Sequence, residues 1–286
     1  MANMTFGIDI SVWQSNDAGN PTYTFDPFIA KEKGVQFAFI RASIGSSQDN
    51  AVDKVAADFE RANLPHGFYH FLRSDVSYIT QADKFVSVIK DYDYQLPLVC
   101  DVEHAGLGLE IVKAWCGRVS SKLGVKPIIY TSPGFWNGLT GVDKATWALD
   151  YDYWVAHYLN LSYPVYDIPD AVKNSTTYPT PLKPWSLSNK SWTFWQFCAA
   201  GDGEFYGGDY AKHTDKTALD MDAFNGTLAE FNAKFNLTEQ PDIPTEPPVV
   251  TPPELPDNTD IDARILSLQL DMLELRSWAR GIGYKG

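Results

Sequence analysis

Two carboxylates directly follow an apolar run near the middle of the chain. In the stretch Pro97–His104, the run leads into Asp101 and Glu103. In a β-strand the i, i+2 spacing puts both side chains on one face, with Cα atoms about 6.6 Å apart. Two carboxyls so close cannot both ionise freely, so one pKa rises. A protonated acid beside an ionised partner is what cleavage of a glycosidic bond needs. The plainer alternative is a pair of solvated strand-end residues.

Two further acids lie in segments that resemble strands at the two ends of the first 236 residues. Asp9 lies in Gly7–Ser11 and Asp220 lies in Leu219–Phe224. In a parallel α/β barrel the active site forms at the carboxyl ends of the strands, so all four acids would meet at one mouth. Taken singly, each would more often be a cap or a turn residue.

These acids are embedded in an alternation of strand-like and helix-like segments, which predicts an α/β fold: an irregular, TIM-like (β/α) barrel that is closed or nearly closed and parallel. The predicted helices carry apolar residues at helical spacing and span Ala51–Asn63, Gln81–Lys90, Leu109–Leu123 and Ala229–Phe235. The predicted strands are Phe6–Ser11, Gln36–Ser43, His66–Leu72, Leu96–Glu103, Lys126–Ser132, Tyr153–Tyr158, Trp192–Cys198 and Ala218–Phe224.

The end of the chain differs in composition from the barrel. We predict a barrel domain at 1–237, a Pro-rich linker at 238–258 and an amphipathic C-terminal helix at 259–286. Pro241–Pro256 holds seven prolines in 16 residues, which favours an extended spacer. A heptad seam across 259–280 predicts a homo-oligomer or docking on a larger particle, and the alternative is a helix packed on its own domain. The seam consists of Ile261, Ile265, Leu268, Met272 and Leu275.

The composition disfavours several classes of binding partner. The formal net charge is −13 and the sequence pI is about 4.7, which disfavours nucleic acid and anionic lipid. No apolar run is long enough to insert in a membrane, and the first residues do not read as a signal peptide. Three cysteines without a C-x-x-C pair, and histidines without H-E-x-x-H, predict neither a disulfide framework nor a metal site. No cofactor is predicted.

An ordered series of short motifs resembles glycoside hydrolase family 25, the Chalaropsis-type muramidases, over about residues 5–235. Each motif is weak alone, but their order along the chain is specific. The motifs are Gly7–Ser11, Phe39–Ser43, Gly67–Phe71, Asp101–Glu103, Ile129–Thr131, Trp154–Tyr158, Trp195–Phe197 and Leu219–Asp222.

The resemblance implies a lysozyme that cleaves the β-1,4 bond between N-acetylmuramic acid and N-acetylglucosamine in bacterial peptidoglycan. Glu103 matches the general acid/base of the family. Asp101 matches the partner that steadies the substrate's 2-acetamido group or the developing positive charge, and Asp9 and Asp220 match the two outer acids. Where the family often has Asn two residues after the last Asp, this chain has Asp222, so either Asp220 or Asp222 could face the site.

Sugar-contacting residues are assigned from the same motifs. We expect Tyr69, Tyr130, His157 and Gln196 to line the groove, with packing inside the barrel as the alternative for each. His104 follows the catalytic pair, but alternation along a strand points its side chain away, so we expect it to be structural.

Three other functions compete with this interpretation. A chitinase-type barrel would need an acid where this chain has Val99, and a metal-dependent hydrolase would need clustered histidines. A catalytically silent cell-wall-binding or structural module of a phage particle would suit the tail, although such a module need not keep four acids. With no leader predicted, we expect a phage or prophage lysin, made in the cytoplasm and released at lysis or carried on the virion.

Overall fold

A computed structural model describes residues 4–14, 25–168, 179–208 and 218–237. Its centre is a barrel of eight strands, and a short ninth strand, β3, extends the sheet as a hairpin with β2. The strands are β1 Thr5–Ile10, β2 Phe37–Ile44, β3 Ser47–Gln48, β4 His66–Phe71, β5 Val99–Asp101, β6 Ile128–Thr131, β7 Tyr153–Ala156, β8 Phe194–Asp202 and β9 Ala218–Phe224.

The barrel closes because β1 pairs with two neighbours. It runs antiparallel to β9 and parallel to β2, so the sheet from β9 to β2 returns to β1. The predicted fold class, an irregular TIM-like α/β barrel, is therefore confirmed. The expectation that every strand runs parallel is wrong for β9, which is antiparallel to β1 and to β8. Since β8 and β9 form an antiparallel pair, no crossover helix is needed between them.

The helices are α1 Pro27–Glu32, α2 Val52–Ala62, α3 Tyr78–Ile89, α4 Leu109–Leu123, α5 Pro133–Trp136 and α6 Leu228–Phe235. α2, α3, α4 and α6 overlap the four predicted helices, whereas the short α1 and α5 have no predicted counterpart. Local chemistry sets their ends: α2 stops at Asn63 and α4 at Gly124, both left-handed residues. α6 starts at a capping box between Thr227 and Glu230.

Apolar side chains form two separate layers. One fills the space between the outside of the barrel and the helices, and the other fills the barrel itself. In β2, Phe37 and Phe39 point inward while Ala38 and Ile40 point outward, the period of two expected of a strand. Phe231 of α6 stacks on Phe37 and adds to the inner layer. Each buried phenylalanine contributes about 1.5–3 kcal/mol.

The inner layer changes from apolar to polar along the strands. Below, it contains Phe37, Phe39 and Phe194, all fully buried. Toward the carboxyl end of the parallel strands, the same inward rows continue with Arg41 on β2 and Gln196 on β8. The polar side chains of the barrel therefore gather at one mouth, above an aromatic plug.

Close packing around Gly67 makes a first prediction. A Cβ at Gly67 would lie 2.5 Å from the Pro97 carbonyl oxygen, which is backbone and cannot move aside. Gly67→Ala should therefore destabilise the barrel by about 1–3 kcal/mol. Gly117→Ala is the matched control, because a Cβ there meets nothing within 4 Å and helix α4 gains about 1 kcal/mol. Urea unfolding of both variants measures the difference, and equal midpoints would contradict it.

The predicted linker and C-terminal helix, residues 238–286, lie outside the described residues. Within those that are described, no helix has the length and apolar character required to cross a bilayer.

Candidate active site

A cavity of about 320 Å³ opens at the polar mouth of the barrel, at the lower end of the size range of small-molecule sites. All eight barrel strands, some with the loops that follow them, contribute to its wall. The described residues that line it are Asp9, Ser11, Trp13, Gln14, Arg41, Tyr69, Phe71, Asp101, Glu103, Tyr130, Trp154, Tyr158, Gln196 and Asp220.

The four acids singled out from the sequence all line this cavity. Asp9 and Asp220 are direct neighbours across the antiparallel pair β1–β9. Asp101 ends β5, and Glu103 lies two residues beyond that end rather than within the predicted strand. Asp9 and Asp101 are buried, Asp220 is half-buried and Glu103 is exposed. The cluster is therefore graded in depth, with Glu103 outermost.

Burial and mutual repulsion raise the pKa of every acid in the cluster. Burial is the main cause for Asp9, whose pKa Asp220 and Glu103 raise further. Burial, then Glu103 and Asp9, hold the pKa of Asp101 well above its usual range. Although part of the Glu103 side chain is exposed, loss of water around it in the cavity wall raises its pKa, and burial with the Glu103 charge raises that of Asp220 to about 7. The cavity therefore retains protons at a pH where isolated carboxyls are ionised.

Gln196 links the acids to two tyrosines. Its amide nitrogen donates to Asp9 Oδ2 at 2.5 Å, and its Oε1 accepts hydrogen bonds from the hydroxyls of Tyr130 at 2.6 Å and Tyr158 at 2.8 Å. These bonds fix the orientation of the amide and of both phenols. Gln196 and Tyr130 thus lie where the sequence placed them, whereas Tyr158 was missed although it ends the motif Trp154–Tyr158.

Of the other two predicted sugar contacts, the structure places one at the cavity and one away from it. Tyr69 lines the cavity, but His157 is not among its described lining residues. The His157 ring instead accepts a hydrogen bond from the Thr180 backbone, and its carbonyl accepts one from Trp195. The structure thus does not bring His157 together with the acids. Alternation explains this, because the inward positions around β7 are Trp154 and Ala156.

His104 holds two loops together. Its Nδ1 accepts from the Ser74 backbone at 3.2 Å and lies 3.0 Å from the Ser74 hydroxyl. The ring also makes an edge contact with Phe71. These contacts agree with the structural role expected from alternation.

Both Asp220 and Asp222 face the barrel interior, since they are two residues apart on β9. Asp220 lines the cavity, whereas Asp222 lies one layer deeper, fully buried, and accepts a hydrogen bond from the Trp154 indole at 3.0 Å. Its Oδ2 has no hydrogen-bond partner in the described part of the chain. Burial, Asp9 and Asp220 hold its pKa well above the usual range.

Arg41 is a charged residue of the site to which the sequence assigned no role. It points inward from β2, and its Nε donates to Asp49 Oδ2 at 2.7 Å. The sequence held a sign of this inward position. Arg41 follows Phe37 and Phe39 at a spacing of two residues, so on a strand it shares their inward face. In the described ranges no group of three histidine, cysteine or acidic side chains could hold a metal ion.

The hub role of Gln196 makes a second prediction. Gln196→Met keeps the side-chain volume but leaves the Tyr130 hydroxyl and Asp9 without their partner. We expect about a 5- to 150-fold loss of activity, the equivalent of 1–3 kcal/mol for an unpaired buried group. His157→Gln should remain within about threefold of wild type, because His157 lies outside the cavity lining. Initial lysis rates of bacterial cell walls measure both, and equal losses would contradict the assignment.

A closed β/α barrel with a graded carboxyl cluster at the mouth where its parallel strands end suits a glycoside hydrolase, whose chemistry takes two positioned carboxyls. The sequence profile of Glycosyl hydrolases family 25 matches residues 8–204, and the chain belongs to that family.

Individual proteins similar to this chain are consistent with the family assignment. Lysozyme M1 of Streptomyces globisporus is 29% identical over 250 residues, which cover 81% of this chain and 71% of that protein. The crystal structure of a lysozyme from Streptomyces coelicolor is 27% identical and superposes with a TM-score of 0.60, covering 82% of this chain and 98% of the other. The CTP1L endolysin shares the fold at 18% identity and a TM-score of 0.55, covering 80% of this chain and 69% of its own.

Proposed function

We propose that this glycoside hydrolase is an N-acetylmuramidase that cleaves the β-1,4 bond between N-acetylmuramic acid and N-acetylglucosamine in bacterial peptidoglycan. The observation that carries the proposal is the cluster of Asp9, Asp101, Glu103 and Asp220 around one cavity of a family 25 barrel. The relatives named lysozyme give the substrate class.

Glu103 is the general acid/base in this proposal. It is the most exposed of the four acids, so it can reach the glycosidic oxygen of a bound strand. Loss of water around its carboxyl in the cavity wall nonetheless raises its pKa, which keeps the proton on the carboxyl until the oxygen takes it. After departure of the leaving sugar, the same carboxylate removes a proton from the attacking water.

Asp101 is the electrostatic partner and positions the substrate. Asp101 lines the cavity, and its buried Oδ1 has no hydrogen-bond partner in the described residues. Its carboxylate would accept an acetamido N–H, and a carboxylate at this position stabilises positive charge at the anomeric carbon. Asp9 and Asp220 complete the polar wall, and Tyr69, Tyr130 and Gln196 contact the sugar hydroxyls. The exposed ring of Trp13 offers an apolar face to a sugar ring at the rim.

The bond specificity is tested by the ends of the products. Purified peptidoglycan is digested, reduced with borohydride and hydrolysed, and the reduced sugars are identified. Muramitol is expected, because cleavage after N-acetylmuramic acid leaves that sugar at the reducing end. Glucosaminitol would assign the opposite bond. Wall binding without any reduced sugar would favour the silent cell-wall module.

For residues 259–280 we propose self-association, from the heptad seam that follows the proline-rich segment. A barrel that acts as a multimer would bind a polymeric wall with higher avidity. Light scattering compares the full-length chain with residues 1–240. Monomer masses for both would exclude the proposal and leave docking on another particle or packing of the helix on its own domain.

A further inference from the structure

Glu103 lies two residues beyond the end of β5, and in the described part of the chain its carboxyl makes no hydrogen bond with another side chain. The residue before it is fixed to β6 through both backbone groups. The Val102 N–H donates to the Tyr130 carbonyl at 2.8 Å, and the Val102 carbonyl accepts from the Thr131 hydroxyl at 2.7 Å. The orientation of Glu103 therefore depends on what holds the chain that follows it.

His104 holds the chain on that other side of Glu103. The Ser74 backbone N–H donates to His104 Nδ1 at 3.2 Å, while the Ser74 hydroxyl donates to the Ala105 carbonyl at 2.7 Å. Nδ1 is thus the acceptor, and the neutral ring carries its proton on Nε2. Gly106 has φ +85°, and a Cβ there would lie 3.1 Å from Ser74 Oγ. The turn after Glu103 is therefore folded directly onto Ser74.

Ser74 is a fixed anchor, because Gln81 of helix α3 pins the loop that carries it. The Gln81 amide nitrogen donates to the carbonyls of Arg73 and Val76, both at 2.8 Å. Its Oε1 accepts from the Arg73 N–H at 2.8 Å, and the whole side chain is buried. A displacement of His104 would therefore break its hydrogen bond with the Ser74 loop rather than carry the loop along.

The His104 ring also contacts the cavity wall. It meets the ring of Phe71 edge-on, with centroids 6.2 Å apart, and Phe71 lines the cavity together with Glu103. Because Val102 and His104 are both fixed, the side-chain torsions of Glu103 are the main freedom that its carboxyl retains. Fewer conformations then compete with the one in which a proton reaches the substrate.

We propose that His104 is a positioning residue for the general acid: its hydrogen bond with the Ser74 backbone holds the chain after Glu103 and so orients the Glu103 carboxyl toward the glycosidic oxygen. The inference rests on the proposed function and adds to it the contact that orients the acid.

Two substitutions separate the hydrogen bond from the ring. His104→Phe keeps the edge contact and loses the acceptor, whereas His104→Asn loses the ring and keeps an acceptor close to the position of Nδ1. We measure kcat and KM on soluble peptidoglycan fragments. His104→Phe should lower kcat by about 10- to 100-fold with KM within about twofold, since a misplacement of about 1 Å can cost that much. His104→Asn should stay within about threefold of wild type. Equal losses in the two variants, or no loss in His104→Phe, would overturn the inference.

Asn137→Leu is the matched control. The Asn137 amide also joins two loops, since it donates to the Pro181 carbonyl and accepts from the Lys183 N–H, both at 3.1 Å. None of these three is among the described residues that line the cavity. The variant should lose thermal stability, as His104→Phe does, with kcat within about twofold of wild type. An equal fall of kcat in both variants would make His104 an ordinary stabilising residue.

A double-mutant cycle tests whether His104 acts through Glu103. In the Glu103→Gln background, His104→Phe should change the residual kcat by less than about twofold, because no acid is left to orient. The full 10- to 100-fold loss in that background would overturn the inference. Failure of the proposed function looks different, because wild type would then release no reduced muramitol or Glu103→Gln would be as active as wild type.

Discussion

Glu103→Gln should reduce lysis of bacterial cell walls by about 10²- to 10⁴-fold, the contribution typical of a positioned general acid. Glutamine has nearly the same shape and cannot deliver a proton to the glycosidic oxygen. Since the folded state raises the pKa of Glu103, removal of its charge should not lower the free energy of unfolding at pH 7. The loss should therefore appear in kcat, with binding of the variant to insoluble walls retained.

The matched control for this prediction is Glu110→Gln. Glu110 is an exposed glutamate in the first turn of α4, outside the cavity lining, so the same chemical change is made away from the acids. Its lysis rate should equal that of wild type. If Glu103→Gln is as active as Glu110→Gln, Glu103 has no part in the mechanism, and another acid of the cluster must supply the proton.

The sequence predicted the barrel well because its strands repeat one simple pattern. Each predicted strand overlaps an observed one, and residues such as Phe37 and Phe39 alternate with outward partners as a buried strand requires. The four acids could also be found, since Asp9, Asp101 and Glu103 lie at or near strand ends. Local sequence patterns suffice to predict these site residues, because a residue near the end of a parallel strand necessarily lies at the barrel mouth.

The remaining features depend on relations between distant segments. The direction of β9 is set by its pairing with β1 and β8, and no residue within it encodes that direction. Because β9 runs antiparallel, Asp220 reaches the mouth from the first half of its strand, not from its carboxyl end. The position of the Arg41 side chain depends likewise on Asp49, which lies beyond a hairpin and outside the motif. Alternation alone could have separated His157 from Tyr158, but the assignment from the motif includes His157 and omits Tyr158.

The buried acids lower the free energy of unfolding at neutral pH, and we expect a large effect from Asp222. Asp222 is completely buried, its Oδ2 has no partner in the described ranges, and its pKa is held far above the ordinary value. An acid whose pKa is higher in the folded state than in the unfolded state takes up a proton on folding. The stability it contributes is present below the unfolded pKa of about 4 and is lost as the pH rises through the folded value.

Asp222→Asn should therefore stabilise the barrel at pH 7 by about 1–3 kcal/mol, because each unit by which a folded pKa exceeds the unfolded one is worth about 1.4 kcal/mol. Asparagine keeps an acceptor for the Trp154 indole and has no proton to gain. For a domain of this size the change corresponds to an increase in Tm of about 2–10 °C. The gain should shrink toward zero near pH 4, where the wild-type carboxyl is protonated in both the folded and the unfolded state.

Asp152→Asn provides a control of opposite sign. Asp152 pairs with Lys190 at 3.0 Å and with Lys234 at 3.1 Å, and these cations lower its pKa against the effect of burial. Its contribution is present above the unfolded pKa and is lost as the pH falls through the folded one, so the variant should lose up to about 1 kcal/mol at pH 7. Thermal unfolding of both variants between pH 4 and 8 should give slopes of opposite sign. A gain for Asp222→Asn that is the same at every pH would mean that repacking, and not the buried charge, limits the stability of the barrel.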